Sequence, residues 1–210
     1  MITQNELLDA VGGLSAPSKM PCHGYSIPAS RCKTGRKMRS VEGSICSICY
    51  ALKGRYSFSN VQNALERRYK TIRGKTWVRD MVAAITAVER SGFFRWHDSG
   101  DLQSLSHFGN ICAIARLTPH VKYWLPTREY AIVREFISKG GIIPSNLTVR
   151  FSALMVDGPA PESLARRLGV QVSGACETAF SCPASRQGNV CGSCRACWNS
   201  ETFNVTYKTH

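Results

Sequence analysis

Nine of the ten cysteines in this chain fall into two short groups. Cys22, Cys32, Cys46 and Cys49 lie near the start, Cys176, Cys182, Cys191, Cys194 and Cys197 near the end, and Cys112 stands alone between them. No other feature limits the fold and chemistry so much. An even count allows five disulfides, but a chain of 210 residues can bury a proper core without staples. The opening residues also lack the charged-then-apolar pattern of an export leader, so the expectation is a reducing cytoplasmic setting. Clustered cysteines there read as metal ligands rather than disulfide partners.

The later group reads Cys182-Pro-Ala-Ser-Arg-Gln-Gly-Asn-Val-Cys191-Gly-Ser-Cys194-Arg-Ala-Cys197. Cys191, Cys194 and Cys197 crowd three thiols into seven residues, a spacing that suits an iron–sulfur cube with thiolates at its corners. Zinc is the alternative, although it more often takes two well separated C-x2-C knuckles. The earlier group offers Cys32 and the pair Cys46-Ser-Ile-Cys49. Three ligands on a four-iron cube leave one iron open to a substrate, cofactor or water, unless Cys22 closes it. Lys33, Arg36, Lys37 and Arg39 follow closely, and cations there are expected to lower thiol pKa values. The seven cysteines of the two motifs exceed the needs of one centre. Two sites, or one 4Fe-4S cluster plus zinc, are therefore expected. Cys112 sits among Ile111, Ala113 and Ile114 and reads as a small core residue.

Charge adds a second constraint. Lys and Arg number 27 against 14 Asp and Glu, a net +13, and no single tail carries the excess. Such a balance attracts polyanions, so nucleic acid or a small anionic ligand becomes an expected partner. No apolar run approaches the roughly 18 residues that a membrane span needs.

Between the groups, 43% apolar composition serves an ordinary core, and strands alternate with helices. Helices are predicted over 60–69, 76–90, 102–117, 128–139 (Thr127 as N-cap, Gly140 as stop) and 161–168. Strands are predicted over 93–97, 121–125, 147–154 and 169–173. The alternation predicts an α/β fold: a partial parallel (β/α) barrel or curved parallel sheet. It forms a single domain over 1–210. A cysteine segment over 20–56 and another over 174–210 flank an α/β core over 60–173.

Such sheets place their sites at the carboxyl ends of strands. His97-Asp98-Ser-Gly-Asp101 follows the first predicted strand and Arg128-Glu129 the second, so these five side chains are candidate catalytic groups. Asp101 could equally serve as a helix N-cap and Asp98 as a turn residue. Period-two alternation puts Arg95 with His97, Lys122 with Trp124, and Arg150 with Ser152 on shared faces. Doubly covered strands should be nearly all apolar. Cations at Arg95, Lys122 and Arg150 therefore predict a positively charged crevice that binds an anionic ligand or lies against a cluster.

Four blocks in order resemble the gene product 88 family of bacteriophage proteins. They are Cys46-Ser-Ile-Cys49-Tyr-Ala-Leu-Lys-Gly-Arg-Tyr56, Phe94-Arg-Trp-His-Asp-Ser-Gly-Asp101, Tyr123-Trp-Leu-Pro-Thr-Arg-Glu129 and the 182–198 segment. The resemblance implies a phage origin and a bacterial host cytosol, without a reaction. A looser likeness is to radical S-adenosylmethionine enzymes, which pair an early three-cysteine motif with βα units. Their typical C-x3-C-x2-C differs from Cys32-x13-Cys46-x2-Cys49, and their glycine-rich segment is not evident.

The resulting expectation is an iron–sulfur protein, serving redox or cluster-dependent catalysis on a small anionic ligand. The rival is a basic nucleic-acid-binding module braced by zinc or iron–sulfur centres, with residues such as Tyr50, Arg55 and Tyr56 stacking on bases. Interaction with a host protein leaves no sequence mark.

Overall fold

A computed structural model describes residues 2–209. Six parallel strands form one sheet in the order β1-β2-β3-β4-β5-β6. They are β1 (Gly24–Tyr25), β2 (Phe93–Trp96), β3 (Lys122–Thr127), β4 (Leu147–Ser152), β5 (Gln171–Cys176) and β6 (Asn204–Lys208). The helices are α1 (Gln4–Ala10), α2 (Lys33–Met38), α3 (Ser59–Thr71), α4 (Trp77–Val88), α5 (Leu105–Leu117), α6 (Tyr130–Ser138) and α7 (Glu162–Leu168). Each strand pairs with its sequence neighbour and the order never reverses. Right-handed crossovers then place α4 to α7 on one face of the sheet.

The register shows why the two faces differ. Phe94 lies beside Tyr123, Tyr123 beside Leu147, and Leu125 beside Val149. These residues, with Trp96, Phe151 and Val172, are fully or almost fully buried in the main core under the helices. Alternate positions face the other way: Arg95 lies beside Trp124, Pro126 beside Arg150, Ser152 beside Ser173, and Ala175 beside Tyr207. This second face is covered by the cysteine segments and not by α4 to α7. Trp124, Trp198, Cys22, Cys197 and Val205 form a small separate cluster there.

The central elements follow the predicted ones closely, and four differences have physical causes. First, α5 starts at Leu105 with Ser104 as N-cap, whose Oγ accepts from His107 N at 3.1 Å. Asp101 does not cap it, because its carboxylate is already engaged with β3. Second, α6 is preceded by Glu129 and not capped by Thr127, whose hydroxyl donates to Asp101 at 2.6 Å. Third, β2 ends at Trp96: His97 takes φ +52°, which breaks the alternation that would have aligned it with Arg95. Fourth, α1, α2, β1 and β6 were not expected. Thr3 and Glu6 form a capping box on α1, a legible signal. In contrast, β1 spans two residues and β6 is largely polar.

Candidate functional site

The carboxyl ends of the strands and the face of the sheet opposite α4 to α7 border a cavity of about 550 Å³, a common size for a ligand site. Cys32, Cys46 and Cys49 line one side of it, and Cys182, Cys191 and Cys197 line another. Residues more than 130 positions apart in the chain thus meet at one opening. All ten cysteines are free thiols.

Glu129 positions the first group. Its carboxylate accepts from Thr34 N at 2.7 Å and from Thr34 Oγ1 at 3.1 Å, pinning the start of α2 to the end of β3. Gly35 is buried where a Cβ would stand 3.0 Å from Cys32 Cβ, 3.6 Å from Cys46 Sγ and 3.7 Å from Cys32 Sγ. The two sulfurs therefore flank one point of bare backbone. Burial pushes the Cys32 and Cys46 thiols up, against the downward pull of Arg39 on both and of Arg128 on Cys46. This corrects the expectation of lowered pKa values: Lys33, Arg36 and Lys37 are exposed on α2, where solvent weakens their influence.

Arg150 positions the second group. It is completely buried on β4, and its guanidinium donates to the carbonyls of Cys197 (3.0 Å), Ala196 (2.7 Å), Asn199 (2.9 Å), Val172 (3.2 Å) and Phe203 (3.3 Å). Trp198 Nε1 donates to Phe94 O at 2.9 Å, and Cys191 N donates to Lys19 O at 3.1 Å. The crossover from β5 to β6, which carries the cysteines and no α-helix, is thereby bonded to β2, to β4 and to the segment before β1. Cys22 belongs to this group and not to the first. It shares a small buried cluster with Cys197, against which Cys182 also packs, and feels the charge of Cys191, while burial raises its thiol to about 12. Sequence spacing had set it beside Cys32; only the turn of the chain into β1 carries it to the C-terminal group. Cys194 lies at the margin and does not line the cavity, Cys176 is half-buried at the end of β5, and Cys112 is a core residue.

The candidate catalytic groups separate into two roles. Asp101 Oδ1 accepts from Leu102 N and Thr127 Oγ1, and its Oδ2 accepts from Arg128 N, so this buried carboxylate latches β2 to β3. Glu129 holds α2. Both are committed within the fold. Arg128 lines the cavity, and its Nε donates to Ala153 O at 3.0 Å.

His97 and Asp98 are less committed. Both His97 ring nitrogens are buried without a partner, its ring meets His107 edge-on at 5.5 Å, and burial holds its pKa well below the usual range. Asp98 Oδ2 accepts from Tyr56 OH at 2.8 Å, its carbonyl accepts from Tyr50 OH, and Oδ1 has no partner.

Of the three cations expected to form a crevice, Arg95 lines the cavity, with its guanidinium 4.4 Å over the Trp124 ring. Arg150 acts as the clamp described above. Lys122 is exposed at the opposite, amino end of β3 and does not reach the cavity.

Among the described residues, no group of three or more His, Cys, Asp or Glu side chains is arranged to hold a single metal ion. No helix among them is long and apolar enough to cross a membrane. No curated protein and no solved structure matches the chain, so the likeness to radical S-adenosylmethionine enzymes has no support. A family model described as Gene product 88 matches residues 2–200, the segment that holds both cysteine groups and the whole cavity wall up to β6, and the chain therefore belongs to the gene product 88 family.

Proposed function

We propose that this is an iron–sulfur phage protein on an open, partial-barrel sheet. Cys32, Cys46 and Cys49 would hold one 4Fe-4S cube, and the C-terminal cysteines a second centre of iron–sulfur or zinc. The observation that carries this reading is that free thiols from both groups line one cavity at the carboxyl ends of the strands. A four-iron cube ties its thiolates to different corners, which stand further apart than ligands on one ion. The lack of a single-ion arrangement is therefore compatible with a cube. Gly35 leaves bare backbone against two of the sulfurs, where any side chain would crowd the group.

Bound there, a cluster would supply one-electron transfer and, at an iron without a thiolate, a place for a ligand. The chain's own residues do the rest. Arg39 and Arg128 offset the charge of the first thiolate set, while Arg95 and Arg195 offset that of the second. Glu129 and Arg150 hold the two segments in place, and Arg95 gives the cavity a cation for a small anionic ligand.

The test is anaerobic purification followed by an absorption spectrum and counts of iron, sulfide and zinc per chain. Brown protein is expected. If the second centre is iron–sulfur, the paired variants Cys46→Ser/Cys49→Ser and Cys194→Ser/Cys197→Ser should each lose about half of the iron; if it is zinc, the first should lose all of the iron and the second only the zinc. Colourless, metal-free protein would overturn the proposal. Stoichiometric zinc with nucleic-acid affinity that falls steeply with salt would replace it by the binding-module reading.

A further inference from the structure

The polar atoms that the fold leaves without partners are concentrated on the cavity wall. Arg95 Nε, Trp124 Nε1, Asp98 Oδ1 and Ser185 Oγ are all buried, all unpartnered, and all belong to residues lining that one cavity. Buried donors and acceptors in folded proteins are nearly always satisfied, so a group of orphans around one opening marks a missing partner.

His97 and Ser99 add further unpartnered atoms to the same wall, and the two charged orphans, Arg95 and Asp98, make opposite demands. Arg95 and Trp124 are register neighbours on β2 and β3, and stacking of the guanidinium on the indole puts two unpartnered donors in one corner. Burial works against the charge on Arg95, yet Tyr50 and Asp98 nearby hold its pKa above the usual guanidinium value. A charged donor beside a neutral donor calls for an anionic acceptor such as a carboxylate.

Asp98 presents the opposite demand. Tyr56 fixes one carboxylate oxygen and leaves the other needing a donor. The left-handed turn at His97, with φ +52°, is what takes Asp98 out of the strand alternation. Strain of this kind in a non-glycine residue is typical of functional sites. Arg95 and Asp98 are three residues apart, a reach of at most about 11 Å even for extended chain. Among the described residues no ion pair joins them.

We infer that the cavity binds a small zwitterion of the α-amino-acid type, its carboxylate on Arg95 and Trp124 and its ammonium on Asp98. A simple anion would satisfy only one of the two corners. The inference rests on the reading of this cavity as the ligand site, but it needs no iron.

The test is isothermal titration of the full-length protein with the twenty common L-α-amino acids. The best binder is then compared with its des-amino acid and its decarboxylated amine. At least one amino acid is expected to bind, and each truncated analogue about tenfold or more weaker, because a buried charge then stays unpaired. Asp98→Asn should weaken the amino acid by a similar factor yet leave the des-amino acid within about twofold. That second reading also shows that the variant is folded. Arg95→Lys should weaken both. If no amino acid binds at millimolar concentration, if inorganic phosphate binds as well as the best amino acid, or if Asp98→Asn leaves affinity unchanged, the inference is overturned. Metal counts on the same samples separate the two proposals: iron without amino-acid binding sinks this one alone, and binding to iron-free protein sinks the cluster alone.

Discussion

Asp101 stands where the sequence placed a candidate catalytic carboxylate, and it works as a latch. Burial raises its pKa from an ordinary 3.8 to about 6, although the bonds from Thr127, Arg128 and Leu102 pull it down. A folded-state pKa above the unfolded one means that the folded protein holds this proton more tightly. The group's contribution is therefore complete below about pH 4 and is lost as pH rises through about 6. At about 1.4 kcal/mol per unit, the loss is about 3 kcal/mol. Asp101→Asn cannot titrate, so its stability deficit relative to wild type should shrink by about 2 kcal/mol between pH 4 and pH 7, measured by urea unfolding at both. An unchanged deficit would show that this carboxyl has no raised pKa. Polar groups at this strand end are evident in the sequence. Which of them are already engaged is not, because Asp101's partners Thr127 and Arg128 lie 26 and 27 residues away.

At the scale of elements, β4 and the crossover after β5 depend on one side chain. Arg150 has no carboxylate partner among the described ion pairs and instead satisfies five carbonyls from three segments. Arg150→Met keeps most of the volume but strips those carbonyls of their donor, at a cost of about 3 kcal/mol or more. The loss should also loosen the 177–203 segment. A lower urea midpoint and faster protease cleavage within that segment are expected; wild-type resistance there would show that Arg150 is not the clamp. Alternation in β3 and β4 was legible because their helix-facing positions are uniformly apolar, from Tyr123 and Leu125 to Val149 and Phe151. The same alternation placed Arg150 on the opposite face without revealing what it meets. Its partners come from a segment with no periodicity to read. Short or polar strands such as Gly24–Tyr25 and Asn204–Lys208 carry no pattern of their own and exist because a neighbouring strand offers its edge.

Across the whole molecule, the winding of the sheet determines which cysteines come together. Cys22 is ten residues from Cys32 in the chain but lies in the buried cluster that holds Cys197 and against which Cys182 packs. Cys22→Ser should therefore lower the metal bound at the C-terminal centre and spare that at Cys32, Cys46 and Cys49. Cys112→Ser, inside the helix-side core, should leave both intact. Metal counts in Cys22→Ser combined with each paired serine variant check this. Additional loss in the Cys194→Ser/Cys197→Ser background alone would return Cys22 to the first group. The sequence by itself determined the α/β class, the parallel strands, and the gathering of nine cysteines into two short groups. Those properties are written in local composition, spacing and periodicity. Only the tertiary structure decided that both groups open on one cavity, that Arg150 is a clamp and Lys122 a bystander, and that Arg95 and Asp98 are left with unmet hydrogen bonds. The physical reason is that each of these depends on contacts between residues far apart in the chain, formed by the burial of one sheet face under helices and the other under the cysteine segments.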